Sequence, residues 1–294
     1  MVEADKPIYV SGRSGNMQIG WQTAKFSGKE FLTSLTRTAP HNIRVFAFEA
    51  TTVTVNYNGA FYATQAIAAD SGFIFTTAAG EFGQFEVIST GLVAVFTDSN
   101  GTVDPKVIPP KSKEVIGFPS TRGYLTSEGT ETVQIYSSAA DDYTFSVDAS
   151  QQFQIATGAS LYTGDAFVVL STVNRISVNS NADGNGSASA PFMPVSMMSN
   201  RFIVSGATDY VAMAAREPTT IEEVNAATGV VVATHVMTGT SLGGGVYKLN
   251  LSGNYAGRIF RATTSVGRFH MWYQPNGTTN YQRDEDETVS FGWD

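Results

Sequence analysis

The chain has 294 residues, a formal net charge of −8, no cysteine and only 15% charged residues, against roughly 25% charged in average soluble proteins. The missing cysteine excludes disulfides, thiolate metal ligands and cysteine nucleophiles. No Lys/Arg cluster offers the positive stripe that phosphate neutralisation needs, so nucleic acid is not an expected partner.

The opening Met1 to Pro7 lacks the basic and apolar regions of a secretion signal. Either a signal has been removed, or the protein is never exported, which suits a virion protein assembled in the cytoplasm. No apolar run approaches the roughly 20 residues of a membrane span. Beyond the first residues, short β-branched and aromatic runs dominate, among them Arg44 to Phe48, Thr51 to Val55 and Phe167 to Leu170, bounded by Gly, Asn, Asp and Ser. Helical spacing is nearly absent. Thr219 to Ala227, with a Thr cap and early acidic residues, fits a first helical turn and fits a strand equally well.

Three landmarks recur in the same order with a period of roughly 80–90 residues. The first is a Thr-Val strand: Thr52 to Val55, Thr132 to Ile135 and Thr220 to Glu223. The second is a Gly turn leading into an aromatic strand and a Ser/Thr pair: Gly83 to Thr90, Gly164 to Thr172 and Gly257 to Thr264. The third is a strand ending in a polar turn: Val93 to Gly101, Ile176 to Gly184 and Phe269 to Gly277. A further copy of the third, Pro7 to Gly15, opens the chain alone and is expected to complete a sheet at the C-terminus or in a neighbouring subunit. Pro105 to Lys113 and Ser187 to Val195 fall at equivalent places and read as connections between units.

The predicted fold is all-β, with about three tandem antiparallel modules, sandwich-like or propeller-like, and an extra N-terminal strand. The expected division is 1–40 for the strand and its arm, then modules at 41–119, 120–205 and 206–294. The order of a Thr-Val strand, the turn Ala79-Gly80-Glu81, a Ser-Thr step and the strands Lys6-Pro7-Ile8 and Val93-Ala94-Val95 resembles the β-rich repeat of IgGFc-binding-protein N-terminal regions and related bacterial surface proteins. That resemblance covers most of residues 5–290 and implies an extracellular adhesive or scaffolding role without catalytic residues. The cysteine-free, Ala-Thr-Gly-Ser-rich texture is also similar to bacteriophage tail, collar and capsid-surface proteins.

No constellation of catalytic residues emerges. His41, His235 and His270 lack metal-ligand spacing. Gly12 to Gly15 and Gly239 to Gly243 lack the strand-to-helix context of a nucleophilic serine, and the latter reads as a loop tip. Adjacent carboxylates at Asp141-Asp142, Glu222-Glu223 and Asp284 to Glu287 point to opposite faces of a strand and read as solvated turns or tail. The segment Asn179 to Gly186 imitates the start of a calcium loop but carries Ala190 where a bidentate Glu belongs, and Asp98 to Asp104 is a weaker echo. Both read as polar turns.

Three of the eight methionines fall between Phe192 and Met198, which suits packing in the core or between modules, with an intermolecular interface as the alternative. Trp272, Tyr273, Tyr281 and Trp293 are either module core or an aromatic platform for sugars or proteins. The expected function is a non-enzymatic structural protein of a virus particle, acting in assembly or attachment, with no cofactor or metal. Its expected partners are copies of itself and other virion or surface proteins, with a cell-surface glycan as a further candidate. The alternative is a secreted or cell-surface bacterial adhesion or carbohydrate-binding protein.

Overall fold

The computed structural model describes residues 11–14, 17–20, 26–35, 40–81, 83–99, 103–119, 122–139, 142–149, 151–157, 164–181, 191–204, 206–240, 244–275, 288–290 and 292–293. Among these there is no α-helix, and every strand pairing is antiparallel. The chain opens with a hairpin of β1 (Ser11–Ser14) and β2 (Met17–Gly20). Ser11 to Ser14 of the opening strand thus pair with the return strand β2; Pro7 to Val10 lie outside the described residues.

The first unit contains β3 (Gly28–Leu35), β4 (Asn42–Ala47), β5 (Thr51–Tyr57), β6 (Ala60–Ile67), β7 (Ser71–Thr76), β8 (Gly83–Ser99) and β9 (Val103–Ile108). Strand β8 curls through both layers. Its first half pairs with β3 and β5, and its second half with β4 and β9. The corner is made by the Ser89-Thr90-Gly91 step, where Ser89 Oγ donates to the Gly91 carbonyl and the Gly91 N–H donates to Thr51 Oγ1, both at 2.7 Å. A Cβ on Gly91 would meet the Glu49 side chain at 2.7 Å, which accounts for glycine there.

The second unit repeats this path with the corner broken into two strands. It holds β10 (Glu114–Gly117), β11 (Arg122–Ser127), β12 (Glu131–Ser137), β13 (Tyr143–Val147), β14 (Gln152–Thr157), β15 (Phe167–Leu170), β16 (Ile176–Asn181) and β17 (Met193–Pro194). Its layers run β13-β12-β15-β10-β17 and β14-β11-β16. The third unit holds β18 (Arg201–Val204), β19 (Thr208–Ala215), β20 (Thr220–Asn225), β21 (Val231–Val236), β22 (Thr238–Thr240), β23 (Val246–Ser252), β24 (Arg258–Ala262), β25 (His270–Pro275), β26 (Thr288–Ser290) and β27 (Gly292–Trp293). Its layers run β21-β20-β24-β18-β27 and β22-β23-β19-β25-β26. The segment Thr219 to Ala227 is therefore strand and turn. Ile221 and Glu223, two residues apart, are both buried, as a half-buried strand requires and a helix does not.

Cross-strand register places the landmarks on equivalent positions. Val55 faces Val87, Ile135 faces Val169 and Glu223 faces Phe260. Val45 faces Val95, Leu125 faces Val178 and Met213 faces Met271. The first and third landmarks thus superpose residue for residue, and the second shifts by one residue in the third unit. A shared side-chain contact marks the first two units: Lys29 donates to the Thr90 carbonyl, and Lys113 to that of Thr172. The sheets start one strand earlier than the expected cuts at 40/41, 119/120 and 205/206, because β3, β10 and β18 pair with β8, β15 and β24.

Each unit is closed on one side by its own last segment. Ile108 pairs with Val95 on β8 and Pro110 then bridges Phe31 on β3. Pro191 bridges Asn179 on β16 before Met193 pairs with Ile116 on β10. Ser290 pairs with Met271 on β25 before Gly292 pairs with Phe202 on β18. One short segment therefore stitches the two layers together, and among the described residues no segment closes the opposite side of each sandwich. Close approach dictates glycine on the first strands: a Cβ on Gly28 would meet Pro110 at 2.7 Å, and one on Gly117 would meet the Phe192 ring at 2.5 Å.

Three apolar clusters fill the three sandwiches, and a fourth lies between the units. The period-two alternation of strands assigns the residues. On β19, Val211, Met213 and Ala215 enter the third sandwich, while Tyr210, Ala212 and Ala214 enter the shared cluster. On β10, Val115 faces its own core and Ile116 the shared one. The shared cluster draws Phe26, Phe96 and Val107 from the first unit, Phe118, Val168 and Met193 from the second, and Trp272 from the third. Trp272 and Phe118 meet edge to face with ring centroids 5.4 Å apart.

Candidate interaction surface

The seams between units are tied by polar groups as well as by apolar packing. Lys111, whose side chain is 3% exposed, lies 2.8 Å from Glu86 and 3.6 Å from Glu30 of the first unit, and 2.6 Å from Glu128 of the second. Arg175 bonds both Glu128 and Glu30. Burial pushes the Glu128 carboxyl up, but hydrogen bonds from Arg175 and Lys111 outweigh it and hold the group at about 2. Burial pushes the Lys111 ammonium down, and the bonds to Glu128 and Glu86 more than offset this, so its pKa is raised. The seam between second and third units carries Arg216 on Glu114 and Lys248 on Asp165, each at 2.7 Å. Burial raises the Asp165 carboxyl, but bonds from Lys248 and Ser138 outweigh this and leave it below its ordinary value.

Equivalent positions on the last long strand of each unit, Phe96, Asn179 and Trp272, face these seams. Phe96 and Trp272 join the shared cluster. The Asn179 amide donates to Thr33 Oγ1 at 2.9 Å and Ser34 Oγ at 3.3 Å, across the first seam. Its amide nitrogen is thereby committed to the first seam; residues 182–190 of the calcium-like segment lie outside the described residues. The Trp272 indole N–H donates to the Pro191 carbonyl at 3.4 Å. Trp272 and Tyr273 are fully buried, so this pair forms no sugar-stacking platform. Tyr281 and the Trp293 side chain lie outside the described residues. Met193, Met197 and Met198 pack into the shared cluster, which is the inter-module form of the core or inter-module packing expected of them.

The three histidines are held apart by the fold. His41 precedes β4; its N–H donates to Thr77 Oγ1 and its carbonyl accepts from the Thr77 N–H. His270 on β25 donates to the Pro194 carbonyl at 2.9 Å, and His235 on β21 contacts Glu223 at 3.2 Å. Glu222 and Glu223 point to opposite faces, the former pairing with Arg261 and the latter with His235 and Arg258. Asp142 accepts from the Ser137 N–H, while Asp141, Asp284 to Glu287 and Ser241 to Gly243 lie outside the described residues. Among the described residues, no group of three His, Asp or Glu side chains is placed to hold a metal ion.

The ion set on Glu223 departs from the repeat. Glu223 occupies the position of Val55 and Ile135, and Arg258 that of Phe85, all core residues of the first two units. Sequence reading passed over this triad because an alternating strand motif hides one charged residue among apolar equivalents; the signal was Glu223 standing where its two counterparts carry Val and Ile.

Outward, the open side of each sandwich ends in an uncharged strand: β6 (Ala60–Ile67), β13 (Tyr143–Val147) and β21 (Val231–Val236) contain no Asp, Glu, Lys or Arg. Each is the terminal strand of its layer among the described residues. On and beside β21, Val230, Val231, Val232 and Val236 are 40–65% exposed, and Phe61 stands out from β6. Natural sheets usually guard such edges with charge, proline or a cover. These uncharged edges are the candidate interaction surface.

No family model and no curated protein matches the chain. Solved structures with weak likeness include an anti-sigma factor domain-containing protein from Clostridium clariflavum (9% identity, 90% of this chain and 83% of that one, TM-score 0.18). Others are a structure bearing on host cell surface retention of a 1.5-MDa bacterial ice-binding adhesin (11%, 90% and 98%, 0.16) and the M60 catalytic domain with two CBM51 domains from Clostridium perfringens ZmpB (7%, 89% and 33%, 0.19). Scores this low define no shared fold.

Proposed function

We propose that this chain is a non-enzymatic structural protein of a virus particle, a rigid three-unit element that takes part in assembly or attachment. The observation that carries this reading is the shared apolar cluster, fed by strands from all three units and flanked by ion pairs at both seams. Flexibly linked recognition modules have no need of such a cluster, whereas a part that transmits force or holds a fixed spacing does. The outer edges, uncharged and rich in hydroxyls, suit neighbouring protein subunits better than phosphate-rich ligands.

The test is an antibody raised against the chain and used on density-gradient fractions and electron-microscope grids of the source culture. Labelling of particles, with the chain co-sedimenting with them, is expected. A chain found only on cell envelopes or in the secreted fraction would replace this reading with that of a surface adhesin.

A further inference from the structure

Among the described residues no strand pairs with the outer edge of β21 (Val231–Val236), and that edge is self-complementary. Its partner β20 sets the geometry: Ile221 faces His235 and Glu223 faces Ala233, so His235 and Ala233 point into the sandwich. Val232, Thr234 and Val236 therefore form a row on the outer face. The Met237 N–H donates to the Thr219 carbonyl at 3.1 Å, which marks Thr219/Met237 as a hydrogen-bonded pair. By the alternation of antiparallel ladders, Ile221/His235 and Glu223/Ala233 are bonded likewise, and the peptide groups of Thr234 and Val236 turn to the free edge. A bulge between Glu223 and Val224 ends the regular ladder near Val232.

We infer that this edge pairs with the same edge of a second copy of the chain, about a two-fold axis through Thr234. Opposed strands keep their faces only if residues of like orientation meet, and this register satisfies that condition: Thr234 meets Thr234, and Val232 meets Val236 on both sides of the axis. The residues whose peptide groups face outward are the ones brought opposite each other. Two five-stranded layers become one continuous sheet, with β-branched pairs across the join. Charge selects a second copy over another partner. In a chain of net charge −8, the stretch from Val224 to Tyr247 contains no Asp, Glu, Lys or Arg, so two copies can approach there without placing like charges together. An acidic or basic partner would find nothing to recognise.

The test is sedimentation velocity and light scattering on the full chain from micromolar to millimolar concentration. A reversible monomer–dimer equilibrium is expected. Thr234→Pro should abolish it, since the lost N–H faces the free edge and the β20 ladder stays intact, and Val232→Lys should weaken it at least tenfold. Thermal melts of both variants within about 2 °C of the parent show that the fold is retained. Because the chain has no cysteine, Thr234→Cys supplies a second readout. Opposed Cα atoms in a bonded pair lie roughly 5.5 Å apart, within disulfide reach. Oxidation should therefore give a covalent dimer much faster than Val173→Cys, an exposed control in the second unit. A monomer at every concentration, a dimer that survives Thr234→Pro, or equal cross-linking of the two cysteine variants overturns the inference.

Discussion

Replacing Lys111 by Met tests how the first seam is held. The ammonium lies 2.8 Å from Glu86 and 2.6 Å from Glu128, almost wholly out of solvent. Its removal leaves three carboxylates facing one guanidinium, that of Arg175. Breaking a buried ion pair by deleting one partner costs about 3–5 kcal/mol. Glu128 keeps its bonds from Arg175 and Glu86 keeps the Asn56 amide, so the lower figure of about 3 kcal/mol applies. At about 2 °C per kcal/mol for a chain of this size, the melting temperature should fall by about 6 °C at pH 7, read by calorimetry or circular dichroism. Adding Glu86→Gln relieves the crowding and should restore part of the loss, with a coupling of about 1 kcal/mol or more in the double-mutant cycle. A shift below about 2 °C, or strict additivity of the two changes, would refute the view that Lys111 neutralises a shared acidic cluster.

Four further outcomes follow from the same structure. The Glu128 carboxyl sits at about 2 instead of its ordinary 4.5. Its stabilising contribution is therefore complete above about pH 4.5 and is lost as pH falls through about 2; in melts from pH 8 to 2, the gap between parent and Glu128→Gln should stay level and then close. Trp272→Ala empties the shared cluster beside Phe118 and should cost about 3–5 kcal/mol in denaturant unfolding. Gly117→Val drives a side chain into Phe192 at the second unit's closing segment and should cost about 1–3 kcal/mol. Restoring the repeat with Glu223→Ile and Arg258→Phe together should be neutral or stabilising, while Glu223→Ile alone strands Arg258 and should destabilise.

Much of the architecture was written in local pattern. The Thr-Val strands and the Ser-Thr step stood out because the first obeys period-two alternation and the second supplies the hydroxyls that make the corner at Gly91. The first strand of each unit escaped, since β3 finds β8 some fifty residues later and no local signal announces a partner so distant. Tyr210 to Ala215 reads as one unbroken apolar run because both faces of β19 are covered, which sequence alone cannot distinguish from a buried segment of another kind. The edge of β21 was equally hidden: exposure of Val232 and Val236 depends on which neighbour is missing, a property of the sheet and not of the strand.

The stitching segment at the end of each unit bears on how the chain is made. The strand that begins a unit at Gly28 is finished by the Phe31–Pro110 bridge and the Lys111 N–H on the Glu30 carbonyl, so among the described residues no strand made after Lys111 pairs into that sandwich. The same holds for Val115 with Pro194 and for Arg201 with Trp293. A nascent chain can thus close its sandwiches in order as they leave the ribosome, with each finished one presenting a ready-made face on which the next condenses.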